Sequence, residues 1–159
     1  MPITLARTYG GWNDDAYTQH FIEAASQTYK KGAPLIFSSG KVAVATSAAG
    51  LIGIAVAPAT GVTSADAPVV MFMPTVVINI CVDKVLVATN APGTGKPSDF
   101  TIGSVYGISV DAASGNWYLS LTAGTLAAAA TLIEYDTDQT SVINGFVKAR
   151  VLQSVTAWT

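Results

Sequence analysis

The sequence predicts an all-β fold: a small antiparallel β-barrel or sandwich with an N-terminal helix or arm. Three observations carry this. From Ala33 onward, short runs rich in Val, Ile and Thr recur, separated by Gly, Pro, Ser and Asn, which is the signature of many short strands joined by tight turns. Only 11% of residues are charged, against about 25% in an ordinary soluble domain, so neither a coiled coil nor a disordered tail fits. A chain of 159 residues suits one domain and buries roughly 68% of its unfolded surface without needing metal or disulfides.

The first thirty residues read differently from the rest. Residues 1–11 are short and irregular and close on Gly10-Gly11. Asn13-Asp14-Asp15 resembles a helix N-terminus, with a capping side chain followed by acids at the positive end of the dipole. Tyr17, Phe21, Ala24, Ala25 and Thr28 then recur at helical spacing, and Lys30-Lys31-Gly32 supplies a stop. A helix is expected near 14–29, so residues 1–30 form an arm and 31–159 a barrel domain.

Strands are expected at 34–37, 41–46, 51–57, 69–73, 75–82, 84–88, 101–110, 116–122, 131–135 and 142–151. In the seventies, Val76, Ile78, Ile80 and Val82 alternate with Val77, Asn79 and Cys81, the period of a half-buried strand. Pro74 between two runs marks a bend or an edge. Ser114-Gly115-Asn116 offers the positive-φ residues that a hairpin turn needs. In the last strand, Phe146, Lys148 and Arg150 share one face, and Val147, Ala149 and Val151 the other. Ala127–Ala130 suits either a helical turn or tight packing.

Charge and hydropathy exclude several function classes. The net charge is −2, so there is no strong basic field for nucleic acid or an anionic membrane. Mean hydropathy is +0.44, and residues 42–59 would be flagged as a membrane span. Gly50 and the small residues before it break that stretch, Pro58 ends it, and aromatic belts are missing. No membrane helix and no signal peptide are expected, which places synthesis in a cytosol-like compartment. The single cysteine, Cys81, excludes an intrachain disulfide framework.

The search for chemistry returns little. His20, the one histidine, would share a helix face with Glu23, but no second histidine completes a common metal set. Cys81 stands between Ile80 and Val82, where a packed strand thiol is the plainer reading. Gly93-Thr94-Gly95-Lys96 resembles a phosphate loop, yet Asn90 stands where its first glycine belongs, and Pro97 where Ser or Thr must hold magnesium. Asp136-x-Asp138 lacks the glycine and distal glutamate of a calcium loop. No catalytic residue, cofactor or metal is assigned. An enzyme built on Asp99, Asp111, Asp136 and Asp138 remains a minor alternative.

Aromatic residues are the remaining feature. Tyr9, Trp12, Tyr17, Phe21 and Tyr29 fall in the first thirty residues, and Trp158 is penultimate. Aromatic enrichment with charge depletion is the composition of interface cores. These six are the candidate interface residues, packing either on their own barrel or on another chain.

One family resemblance emerges. Residues 31–45 (KGAPLIFSSGKVAVA) read as strand, turn, strand, followed by Ile52-Gly53-Ile54-Ala55 and by Pro68 to Val82. Gly103 to Ile108, Gly115 to Leu119, Ile133 to Asp136 and Phe146 to Val151 continue the pattern. The stretch looks like the capsid cement, or head-decoration, proteins of tailed bacteriophages. The resemblance implies a non-catalytic virion protein on the outer capsid surface, made in the host cytoplasm. Its partners would be the major capsid protein and itself, as a homotrimer rather than a dimer. Apart from the resemblance, Trp12, Tyr17, Phe21 and Tyr29 are expected to be intermolecular anchors, so that deleting residues 1–29 leaves a folded barrel that no longer binds capsids. The alternative class is a soluble β-barrel binding a carbohydrate or other ligand, with Trp117 and Tyr118 as an exposed stacking surface.

Overall fold

In the computed structural model, residues 3–8, 17–74, 76–83, 95–121 and 125–157 are described, with only the backbone for 4–8 and 83. The chain is all-β. Among the described residues eleven strands run in order: β1 (Thr4–Thr8), β2 (Thr18–Ile22), β3 (Pro34–Ser38), β4 (Lys41–Val44), β5 (Leu51–Ala55), β6 (Asp66–Met71), β7 (Val76–Asp83), β8 (Val105–Val110), β9 (Trp117–Ser120), β10 (Leu126–Tyr135) and β11 (Phe146–Val151).

They form two sheets. The first has the order β1-β7-β11-β10-β8-β9, and a further pairing of β7 with β9 closes five of its strands into a barrel. Strand β7 makes this possible by dividing one edge. Its first half (Val76 to Asn79) pairs antiparallel with β1, and its last residues (Cys81 to Asp83) pair parallel with β9. Its other edge carries β11. Barrel closure removes the free edges that β9 and β7 would otherwise expose. The expected hairpin across Asp111–Asn116 is present, with Val110 opposite Trp117 and Gly115 at φ +69°.

The second sheet has the order β2-β6-β5-β3-β4. It curls until its outer strands almost meet. A single parallel bridge joins Glu23, just past β2, to Val42 of β4, and the Ala24 N–H donates to the Val42 carbonyl at 2.8 Å. Gly53 of β5 lies so close to β6 that an added Cβ would stand 2.1 Å from the Val70 carbonyl oxygen. One apolar core runs through both sheets. Ile78, Ile80, Ile108, Leu119 and Leu132 enter it from the barrel, and Leu35, Val42, Leu51 and Ile52 from the second sheet. The chain after β11 is also tied to the second sheet by backbone, with Thr156 bridging Leu51 and the Ala157 N–H donating to the Leu51 carbonyl at 2.9 Å.

The N-terminal helix is a correction. Residues 18–22 form β2, paired with β6 from Thr18↔Val70 to Ile22↔Asp66, and no helix occupies 18–29. The apolar spacing fits a helical stripe, but Thr, Phe and Ile prefer a pleated surface. The five pairings along β6 outweigh the weak helical preference, and Ser26 at φ +58° breaks any continuation. Residues 4–8, read as irregular, form β1. Ala127–Ala130 belong to β10, where a bulge shifts the register between Leu126 and Ala130. The strand expected at 84–88 lies outside the described residues. Phe146 to Val151 alternate inward and outward as expected.

Candidate functional site

The aromatic candidates do not gather on one surface. Tyr9, Trp12 and Trp158 lie outside the described residues. Tyr17 and Phe21 are half-buried against the protein's own core, and Phe21 meets Phe37 edge-on with centroids 5.2 Å apart. Tyr29 is buried.

Tyr29 belongs to a polar network that the sequence did not reveal. Glu23 is 1% exposed. Its carboxylate accepts the N–H of Thr60 at 2.9 Å, the N–H of Gly61 at 2.7 Å and the Thr60 hydroxyl at 3.2 Å. The Tyr29 hydroxyl donates to it at 3.5 Å. Burial, together with the Glu23 charge, pushes the Tyr29 hydroxyl from 10.0 to about 12. A buried carboxylate persists only when its oxygens are satisfied in this way. Its partners lie 37 and 38 residues away, so no local motif signals the arrangement. The network fixes the 59–64 loop against β2 and is structural.

The other candidate chemical groups disperse. His20 is exposed, and its Nδ1 lies 2.8 Å from Asp66 Oδ2; on a strand it faces away from the buried Glu23. Cys81 is buried, and burial raises its thiol pKa, the setting of an inert thiol. Lys96 precedes a 3-10 turn at Pro97–Asp99 rather than a helix, and Gly93 and Thr94 lie outside the described residues. The Asp111 carboxylate accepts the N–H of Ala113 at 3.1 Å and of Ser114 at 3.0 Å. The Ser114 hydroxyl first, then these amides and Lys30, hold its pKa low against burial. Asp111 follows the end of β8, whereas Asp99 precedes its start, so the four aspartates do not converge. Among the described residues, no group of three or more His, Cys, Asp or Glu is placed to hold a metal ion, and no helix is long and apolar enough to cross a membrane.

Trp117 and Tyr118 are 4% and 7% exposed, so neither forms an open stacking surface. Trp117 contributes to the wall of a groove of about 310 Å³ between the two sheets, which Lys30, Val44, Val110 and Thr125 also line.

A different surface stands out, at the end of the barrel where β8 begins and β10 ends. Two loops meet there. The 95–104 loop is pinned by the buried Phe100, which packs edge-on against Tyr106 at 4.9 Å. The Tyr135 hydroxyl donates to the Phe100 carbonyl, and the Thr101 N–H to the Tyr106 hydroxyl. Gly103 N–H to Leu132 O and Leu132 N–H to Ser104 O fasten its end to β10. The 136–145 loop is stitched by successive turns, and Gln139 Oε1 accepts the Phe146 N–H. Ser98 N–H to Thr140 O and Asn144 N–H to Gly95 O join the loops to each other.

These tied loops and the first residue of β8 hold large aliphatic side chains in solvent: Ile102 at 51% exposure, Val105 at 46%, Val142 at 47% and Ile143 at 53%. Single exposed aliphatics are ordinary, but four carried by two cross-tied loops and the strand that follows one of them make a candidate interaction site. The signal was present in the sequence. Thr101-Ile102-Gly103 and Ser141-Val142-Ile143-Asn144-Gly145 place large aliphatics among turn residues, but both were absorbed into neighbouring strands, which begin only at Val105 and Phe146.

Comparison with protein-family models finds no match, and no curated protein is detectably similar in sequence.

Proposed function

We propose that this chain is a structural protein of a tailed-phage virion, which binds the outer capsid surface and stabilises contacts between major capsid proteins. The observation that carries the reading is the pair of tied loops, with the start of β8, presenting Ile102, Val105, Val142 and Ile143 to solvent. The low charge, 11%, supports it, because a surface covered by sister copies and a shell needs little charge of its own. Covering the exposed part of each aliphatic contributes about 1 kcal/mol. Such weak contacts suffice when many copies bind one shell. The aromatic residues of the first thirty positions act in this reading as contacts within and between subunits.

The test uses the full chain. Its mass in solution gives the oligomer, and co-sedimentation with purified expanded capsid shells of tailed phages gives binding. The expected result is an oligomer that binds shells, and a Val142→Asp/Ile143→Asp variant that keeps its circular dichroism but sediments alone. A wild-type chain that ignores shells, or a variant that binds them equally well, overturns the reading.

A further inference from the structure

The 136–145 loop also contains a chemically distinctive pair. The chain has five asparagines, and only Asn144 is followed by glycine. The fold demands both residues. Asn144 sits at φ +56°, a left-handed conformation that Asn and Gly tolerate best. Gly145 cannot carry a side chain: a Cβ there would lie 2.7 Å from the Gln139 carbonyl oxygen and 3.1 Å from both Pro97 Cγ and the Val142 carbonyl oxygen. The Asn144 Oδ1 is buried and has no hydrogen-bond partner among the described residues, so no donor locks the carboxamide in place.

We propose that Asn144 is a site of spontaneous deamidation, through attack of the Gly145 backbone nitrogen on the Asn144 side chain. The Gly145 nitrogen loses its proton to solvent base and forms a bond to Asn144 Cγ. The Cγ–Nδ2 bond breaks, and Nδ2 takes up protons from water and leaves as ammonia. Water then opens the resulting five-membered imide. Cleavage of the new N–Cγ bond gives aspartate, and cleavage of the original peptide bond gives isoaspartate. No electrons are transferred and water is the only co-reactant.

Access to this step is gated. The Gly145 N–H donates to the Val142 carbonyl at 3.0 Å, and the Asn144 N–H to the Gly95 carbonyl at 2.8 Å. Both bonds must open first, and opening a surface turn costs far less than global unfolding. The consequences are local and large. Aspartate places a charge where an oxygen already lacks a donor. Isoaspartate lengthens the main chain by one carbon beside Gly145, whose carbonyl accepts the Val82 N–H at 3.0 Å. Either product loosens the tie between the two loops.

The experiment ages the folded full-length protein in warm, mildly alkaline buffer and follows each asparagine peptide by mass spectrometry, with isoaspartyl methyltransferase labelling to detect isoaspartate. Amide-to-acid conversion is expected in the Asn144 peptide before any other, with loss of hydrogen-exchange protection at Asn144 and Val82. Asn144→Gly keeps the positive φ and should remove that conversion while leaving the circular dichroism unchanged. Conversion appearing first at another asparagine overturns the proposal. So does a folded chain that resists conversion under conditions where the urea-unfolded chain converts at Asn144.

Discussion

The two sheets close by different means. In the barrel, closure is backbone: Cys81, Val82 and Asp83 of β7 pair in sequence with Tyr118, Leu119 and Ser120 of β9. In the second sheet, the ladder between β2 and β4 is reduced to one bridge at Glu23 and Val42. Beside it the Gln27 Oε1 accepts the Val44 N–H at 3.0 Å, and the Glu23 carboxylate ties the chain after β2 to the 59–64 loop. A ladder distributes closure over several equivalent bonds, each contributing about 1 kcal/mol net. A buried carboxylate concentrates it in one residue, whose loss strands two backbone donors at once. The second sheet is therefore the more fragile half, although its core strands are as buried as those of the barrel. Deleting residues 1–29 would remove β1, β2 and Glu23 together. It is therefore a test of folding before it is a test of binding.

The largest effect is expected at Gly53, where β5 and β6 approach too closely for any side chain. In Gly53→Ala the new Cβ would stand 2.1 Å from the Val70 carbonyl oxygen and 2.6 Å from Val69 Cγ1. Backbone cannot swing aside as a flexible side chain can, so the strands must part. The cost is expected at or above the top of the roughly 1–3 kcal/mol range for overpacking. Urea unfolding should show either a chain that fails to fold or one whose midpoint drops sharply with protection lost first on β5 and β6. A shift below about 1 kcal/mol would mean that the sheet is more compliant than its geometry indicates.

Next comes Glu23→Ala, which leaves the N–H groups of Thr60 and Gly61 without their acceptor. An unsatisfied buried donor costs about 1–3 kcal/mol; Thr60 and Gly61 are exposed residues, so water recovers part of that, and a loss of about 2 kcal/mol is expected in urea titration. Hydrogen exchange sharpens the comparison. Protection should fall at residues 59–64 and across β2, while β7 and β11 keep theirs. Uniform loss across both sheets would break it, because the two halves would then unfold as one unit.

What could be read from the sequence follows from the range of the interactions. Strands β3, β4, β5 and β7 and the β8–β9 hairpin depend on local alternation and turn residues, and all appear where periodicity places them. Strand β2 does not, because Tyr17 and Phe21 share one side of a helix and one face of a strand alike, Ala24 extends only the helical stripe, and the pairing edge of β6 decides between them. The Glu23 network joins residues that no short window contains. The exposed Val142 and Ile143 were legible in principle. Asn144-Gly145 marks a turn that ends before Phe146, so the aliphatics preceding it belong to the loop rather than to a strand.

The barrel offers a change of opposite sign. Ala128 lies in the bulge of β10 at φ +47°, a conformation that costs a residue with a Cβ about 1 kcal/mol or more. Ala127 and Ala128 are exposed, so Ala128→Gly removes strain and no packing. A stabilisation of about 0.5–1 kcal/mol is expected in the same urea titration, net of the added flexibility of glycine in the unfolded chain. Destabilisation would mean that the methyl group carries a contact that outweighs the strain.

The smallest effect at neutral pH is expected from Tyr29→Phe, because the bond lost to Glu23 is 3.5 Å long. Its value lies in alkaline solution. The folded state raises the Tyr29 pKa from 10.0 to about 12, so above pH 10 the unfolded chain gives up this proton first. The unfolded state then binds fewer protons than the native state, and stability falls as pH rises. The contribution of Tyr29 is complete below pH 10 and lost between there and about 12. Tyr29→Phe should flatten that part of the stability curve while shifting the neutral midpoint by about 0.5 kcal/mol or less. An unchanged alkaline slope would show that burial and the Glu23 charge do not together raise the Tyr29 pKa, and that the hydroxyl is solvated in the folded chain.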